Sequence, residues 1–160
     1  MSVWGALAGG LVGTVLLTTT LLAATHVRLT RMDLPFLLGT MVTPSYARAR
    51  ALGYAMHFGF GLLFALGYWL IFSAIGTASW WLGALLGVAH AFFAGTALVA
   101  VLLPAVHPRM GDELTAADSN PYLEPPGFLM THYGRQTPIV MVAAHIAYGA
   151  VVGQFVALAG

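Results

Sequence analysis

The sequence predicts an all-α membrane protein with four transmembrane helices, and three observations support this prediction. Of the 160 residues, 59% are hydrophobic and only 7% are charged, whereas soluble domains carry about 25% charged residues. So few charges cannot cover a globular surface in water. Four apolar runs also reach the roughly 20 residues that a helix needs to cross the hydrocarbon layer. Each run must be helical, because an isolated strand cannot satisfy its backbone hydrogen bonds in lipid.

The four spans form a single domain, residues 1–160, with no room for a separate soluble domain. They are predicted at residues 3–26, 51–73, 80–103 and 138–159. We expect the first span to be retained rather than cleaved as a signal peptide. Residues 1–7 contain no Lys or Arg, and the apolar run exceeds the roughly 7–15 residues of a signal core. The chain has no cysteine, which excludes thiolate catalysis, disulfides and cysteine-ligated metals.

The charged residues are confined to two loops, which predicts the orientation. The six cationic side chains are Arg28, Arg31, Arg48, Arg50, Arg109 and Arg135, and the five acidic residues fall in the same loops. The termini and the link 74–79 carry no charged side chain. The positive-inside rule therefore places both loops in the cytoplasm and both termini outside. In these loops, "DLPFLL" and "PPGFLM" predict short interfacial helices.

The two halves of the chain, residues 1–76 and 77–160, share an order of motifs. "WGALAGG", "ATHVR" and "HFGFG" in the first half match "WLGALLG", "AVHPR" and "HIAYG" in the second. This order indicates a duplicated helical hairpin. Because both hairpins start outside, they are expected to be tandem, parallel repeats related by a pseudo-twofold axis along the membrane normal.

Three histidines fall inside the predicted spans. His57 and His145 lie on small-residue faces of the second and fourth spans, roughly 9 and 11 Å from the cytoplasmic ends of these spans at 1.5 Å per residue. They are candidate ligands of haem b or of a metal ion; the alternative is interhelical hydrogen bonding. His90, near mid-membrane, has no counterpart in the first span. It is a candidate third ligand, a proton-relay residue or a structural histidine.

A second candidate site lies at the cytoplasmic mouth of the bundle. Asp33 and Glu124 are expected to pair with Arg28, Arg109 or Arg135 in a partly buried ionic rim. Such a rim either holds the two loops together through ion pairs or recognises an anionic ligand. Both interpretations remain open.

Several motifs also carry a family resemblance. The motifs are "MDLPFLLGTMVTP", "WWLGALLGVAH", "HPRM", "LEPPGF", "YGRQTP" and "AHIAYG". Together they resemble a family of small, uncharacterised four-span bacterial membrane proteins, and the resemblance covers nearly the whole chain. It implies an all-helical inner-membrane protein and supplies no catalytic residues.

Three function classes follow from these features. The first is an accessory, assembly or scaffold subunit without catalytic chemistry, with the lipid bilayer and other membrane subunits or further copies of itself as partners. The second is an electron-transfer protein that binds haem or a metal through its intramembrane histidines. The third is transport of a small solute or of protons. A net charge of +1 argues against nucleic-acid binding, and no nucleophile or carboxylate pair marks an enzyme.

Overall fold

A computed structural model describes residues 1–110 and 123–160 of the chain. Three acidic residues assigned to the second loop, Asp112, Glu113 and Asp118, lie outside these ranges. The described residues are helical, with a single isolated bridge between Met110 and Leu123 and no strand. The α-helices are α1 (Val3–His26), α2 (Leu34–Thr40), α3 (Tyr46–Ile75), α4 (Trp80–Phe93), α5 (Leu103–Val106) and α6 (Thr137–Leu158). A π-helix (Ala94–Leu102) and a 3-10 helix (Phe128–Tyr133) complete the structure.

Four of these helical segments are long and apolar enough to cross a membrane, as is typical of an integral membrane protein. They are α1, α3, α6 and the continuous segment Trp80–Val106, which joins α4, the π-helix and α5. The four predicted spans are therefore confirmed as helices. The helix of the second predicted span, α3, begins at Tyr46, before its apolar run, because Ala and Arg are good helix formers. Arg48 and Arg50 consequently belong to this helix.

Local signals in the sequence set the ends of several helices. The Asp33 carboxylate accepts a hydrogen bond from the Phe36 backbone N–H at 3.0 Å and caps α2. The Ser79 hydroxyl caps α4 in the same way, at 3.3 Å from the Leu82 N–H. Gly76 ends α3 with a φ of 77°, a left-handed conformation that glycine adopts without strain.

Helix α6 packs closely against both α1 and α4, and glycines permit this contact. Gly83 and Gly149 each lie directly against the other's carbonyl group, so neither position has space for a Cβ atom. Gly9 packs in the same way against the backbone of Val152 in α6. In lipid, where apolar burial gives little drive for association, such close backbone approach stabilises helix pairs.

The remaining long helix, α3, is held by different contacts. The backbone of α3 packs against α1 and α2 but not closely against α4, which α3 contacts mainly through the side chains of Phe64 and Tyr68. Gly53 of α3 lies against the Pro35 carbonyl, and Gly39 of α2 lies against the Ala49 carbonyl. An exact twofold axis would require α3 to pack on α4 as α6 packs on α1. Instead, the structure has an opening between α3 and α4.

The glycine contacts can be tested by adding one methyl group. Gly149→Ala is expected to destabilise the protein by about 1–3 kcal/mol, the usual effect of overpacking, because its Cβ would collide with the Gly83 carbonyl. The matched control is Gly67→Ala, where nothing lies within 4 Å; it should leave stability unchanged or raise it by up to about 1 kcal/mol. The measurement is equilibrium unfolding by SDS in bicelles, followed by tryptophan fluorescence. Equal losses in the two variants would contradict this packing.

Candidate functional site

Three histidines from three different spans line one cavity between α3 and α4. The cavity has a volume of about 340 Å³, within the range of about 300–1,000 Å³ of small-molecule sites. His57 comes from α3, His90 from α4 and His145 from α6. The rest of the lining is almost wholly apolar, and no charged side chain contributes to it.

His57 is held by a hydrogen bond to the neighbouring span. It is only 6% exposed, and its Nε2 lies 3.0 Å from the Thr18 hydroxyl of α1. The Thr18 hydroxyl donates its own proton to the Thr14 carbonyl at 2.6 Å. Thr18 therefore accepts from His57, and Nε2 carries the imidazole proton. The other ring nitrogen, Nδ1, has a lone pair and no hydrogen-bond partner among the described residues.

His145 is oriented by its own helix. It is 4% exposed, and its Nδ1 donates to the Met141 carbonyl at 2.8 Å. Nε2 is therefore the lone-pair nitrogen. No side-chain nitrogen in the described part of the chain is both fully buried and unpaired. The free nitrogens of His57 and His145 must therefore reach the open space of the cavity that both residues line.

His90 lies directly against His145. Their ring centroids are 4.7 Å apart and the planes meet at 83°, an edge-to-face contact. His90 also packs on Phe64 at 4.0 Å, and its Nδ1 lies 3.4 Å from the Tyr68 hydroxyl. Tyr148 joins the same aromatic group and donates to the Gly61 carbonyl at 2.5 Å, which connects α6 to α3.

The cavity opens sideways between the spans. Four exposed apolar side chains line it on its outer side, and they belong to α3 and to the helical segment that follows α4. They are Phe60, Leu63, Leu102 and Val106. Leu34 and Leu38 of α2 line another part of the wall. The outer lining is thus carried by helices that are themselves apolar enough to span a membrane.

The sequence identified the three histidines but not their partners. The structure brings His90, which had no counterpart in the predicted repeat, into contact with His145, and connects His57 to α1 instead. Thr18 and Tyr68 were missed, although both lie on apolar spans where a polar group needs a partner. No three metal-ligating side chains among residues 1–110 and 123–160 are grouped to hold a metal ion.

A second group of polar contacts, the His107 cluster, joins α2 to the residues that follow α5. His107 is 4% exposed, and its Nδ1 accepts from the Arg109 backbone N–H at 3.0 Å. Its Nε2 therefore carries the proton and donates to the Leu37 carbonyl at 3.1 Å, close to the Thr40 hydroxyl. The Arg109 guanidinium donates to the Thr40 carbonyl. His107 thus binds a carbonyl of a different helix, α2.

The predicted ionic rim is arranged differently from the expectation. Asp33 caps α2 and Arg109 binds the Thr40 carbonyl, so local backbone groups satisfy both charges. Glu124 pairs at 3.3 Å with Arg31, a residue outside the predicted set, and both side chains are at least half exposed. Arg28 and Arg135 are exposed and form no ion pair with the described residues. An exposed pair of this kind contributes little stability, about 0–1 kcal/mol.

The His107 cluster predicts a dependence of stability on pH. Burial lowers the pKa of His107 below its ordinary value of 6.5; the hydrogen bond to Leu37 opposes this shift and the Arg109 charge adds to it. The unfolded chain then binds a proton more readily than the folded protein. Stability is therefore highest above pH 6.5 and falls as the pH decreases through 6.5 toward the lowered pKa.

His107→Gln provides the matched control, since an amide can donate to Leu37 but does not titrate. Unfolding measured between pH 8 and pH 5 should show a loss of stability in the wild type that is smaller in the variant. The other histidines are present in both proteins, so the difference between the two pH profiles is due to His107. Identical pH profiles would contradict the assignment.

Comparisons with protein-family models, with curated proteins and with solved structures find no match to this chain. The resemblance to four-span bacterial proteins therefore stays a prediction.

Proposed function

We propose that this protein binds a small, lipid-soluble ligand inside the membrane, in the cavity between α3 and α4. One observation supports this function above all. Two imidazoles that are more than nine-tenths buried, His57 and His145, have free ring nitrogens on the same apolar cavity. His90 lines the cavity beside them.

Energetics favour a ligand over a purely structural role for these side chains. Polar groups within a membrane are costly and are typically kept where they bind or transfer something. An interhelical hydrogen bond satisfies one ring nitrogen of His57, and a hydrogen bond within α6 satisfies one ring nitrogen of His145. The second ring nitrogen of each imidazole makes no hydrogen bond with the described residues. A ligand with a complementary polar group would satisfy them.

The sideways opening supports entry from the bilayer. Phe60 and Leu63 on one side, and Leu102 and Val106 on the other, are exposed and carry no polar atom in their side chains. A ligand dissolved in lipid can reach the histidines between these side chains without crossing water. This access favours an apolar molecule with a small polar group over a hydrophilic solute.

The finer architecture is part of the same proposal. We propose a bacterial inner-membrane protein of the four-span type that the motifs resemble, built from two tandem hairpins. α1 with α3, and α4 with α6, are the packed pairs that this arrangement requires. The arginine asymmetry supports cytoplasmic loops with both termini outside, which puts α2 and the 3-10 helix on the cytoplasmic side.

A second candidate is the accessory subunit predicted from the sequence. It is favoured by α3, the least buried of the four long helices. A Cβ atom added at Gly59 or Gly67 of α3 would have nothing within 4 Å of it, and glycines on spans typically mark close helix contacts. An oligomer or complex in native membranes that dissociates upon Gly59→Leu would support this role.

Photolabelling in proteoliposomes tests the ligand cavity. The probe is 3-(trifluoromethyl)-3-phenyldiazirine, a small neutral molecule that partitions into lipid. Leu17 and Val99 line the cavity but are only 5% and 7% exposed. We therefore expect the probe to modify them as well as the lipid-facing side chains. Ala94→Phe fills the cavity from the π-helix and should reduce labelling of Leu17 and Val99 at least fivefold.

The control is Ala89→Phe, at an exposed position on α4 that does not line the cavity. It should leave labelling of Leu17 and Val99 unchanged, and labelling of the lipid-facing positions should be the same in all three proteins. Absence of label at Leu17 and Val99 in the wild type, or equal labelling in the two variants, would refute the proposed cavity.

Single cysteines test the proposed orientation, since the chain has none of its own. With a membrane-impermeant maleimide, Ser2→Cys should react in intact spheroplasts. Ser45→Cys, at the exposed start of α3, should react only after lysis. The reverse pattern would overturn the orientation.

A further inference from the structure

The protonation states of the three histidines define the chemical class of the ligand. We infer that the cavity binds a neutral, lipid-soluble alcohol or phenol, whose hydroxyl group donates to His57 or His145 and accepts from His90. This inference rests on the proposed ligand cavity and narrows it to one polar group.

Of the three histidines that line the cavity, His57 and His145 act as acceptors. The proton of His57 is on Nε2, because Thr18 already donates to Thr14 and can only accept from the imidazole. The proton of His145 is on Nδ1, because that nitrogen donates to the Met141 carbonyl. Each therefore has a lone pair at its remaining nitrogen. A ligand that satisfies either lone pair must supply a donor.

His90 supplies the complementary donor. Its Nδ1 is the only polar partner of the Tyr68 hydroxyl within the described ranges, at 3.4 Å. If Nδ1 donated instead, the hydroxyl proton of the buried Tyr68 would have no acceptor among the described residues. Tyr68 therefore donates to Nδ1, which leaves the proton of His90 on Nε2. The site therefore combines acceptor nitrogens with an N–H donor. A hydroxyl group is the smallest neutral group that both donates and accepts.

Other ligand classes fit these atoms less well. Ketones, quinones, esters and ethers only accept, so they satisfy His90 and leave the acceptor nitrogens unpaired. Carboxylates and phosphates carry a charge, and no cationic side chain lines the cavity. A metal ion would also bind lone pairs, but the described residues offer no group of three ligands.

The shape of the cavity suits a hydroxyl at one end of an apolar body. The lining continues from the histidines along the π-helix to Val106 at the end of α5. The body would lie along Leu98 and Leu102, and it could extend through the side opening into lipid.

The test uses the full-length chain in nanodiscs with ¹⁵N-labelled histidine and two matched probes. These are 4-butylphenol and 4-butylanisole, which differ only in that a methyl group replaces the hydroxyl proton. Without a probe, the ¹⁵N spectrum should show lone-pair nitrogens at His57 Nδ1 and His145 Nε2, assigned with His57→Asn and His145→Asn. Titration with 4-butylphenol should shift at least one of them upfield, as expected when a nitrogen accepts a hydrogen bond.

The anisole should bind at least tenfold more weakly, since sites that recognise a hydroxyl reject analogues without it. A proton on either assigned lone-pair nitrogen in the unliganded protein would overturn the inference. Equal binding of both probes would overturn it too, while the proposed cavity would stand. Binding of neither probe also overturns it, and photolabelling of Leu17 and Val99 then decides separately whether the cavity exists.

Metal coordination is the remaining outcome. Zn²⁺ and haem are each added alone to the same nanodiscs. The inference would be overturned in favour of a coordinated metal by either of two results. These are stoichiometric Zn²⁺ binding that is lost in His145→Asn, and a Soret band that is lost in the same variant. Loss of 4-butylphenol binding in Ala94→Phe, with retention in Ala89→Phe, would place the probe in the cavity and support the inference.

Discussion

The close contact between α4 and α6 is the constraint on which the candidate site depends. Gly83 and Gly149 allow the two backbones to touch, and Gly87 lies against the carbonyl of His145 itself. His90 follows Gly87 by three residues and so shares its face of α4. The glycine contact therefore sets the 4.7 Å separation between His90 and His145. A larger residue at either interface would separate the helices and, with them, the two imidazoles.

The same constraint explains why a cavity remains. α6 packs against α1 on one side and against α4 on the other. α3 packs instead against α1 and α2, through its own glycine contacts. The segment after His90 is a π-helix, Ala94–Leu102, a rare conformation that is frequent at functional sites. Ala94 and Val99 from this segment line the cavity. The opening between α3 and α4 thus follows from tight packing elsewhere in the bundle.

Hydropathy was sufficient to predict the four long helices, because a span needs only length and apolar composition. The position of a histidine along its helix was also predictable. Its partner was not, since this depends on how the helices are rotated and ordered. The contact between His90 and His145 crosses two spans whose adjacency no local pattern reveals. The ionic rim was predicted incorrectly for another reason. A sequence pattern suggests which charged side chains could pair with each other, but backbone groups can bind the same side chains, as in the Asp33 cap of α2.

The polar groups within the spans differ in how they are satisfied, and this difference distinguishes the site from ordinary packing. Thr14 donates to the carbonyl four residues earlier in its own helix, and Tyr148 donates to a carbonyl of α3. Each hydroxyl donor therefore has its acceptor. An imidazole always has two nitrogens to satisfy, and the bundle satisfies only one on His57 and one on His145. Asparagine or threonine could make the same single bonds at less cost. Histidine at both positions, around one cavity, is what the proposed ligand would require, since this ligand would use the remaining nitrogens.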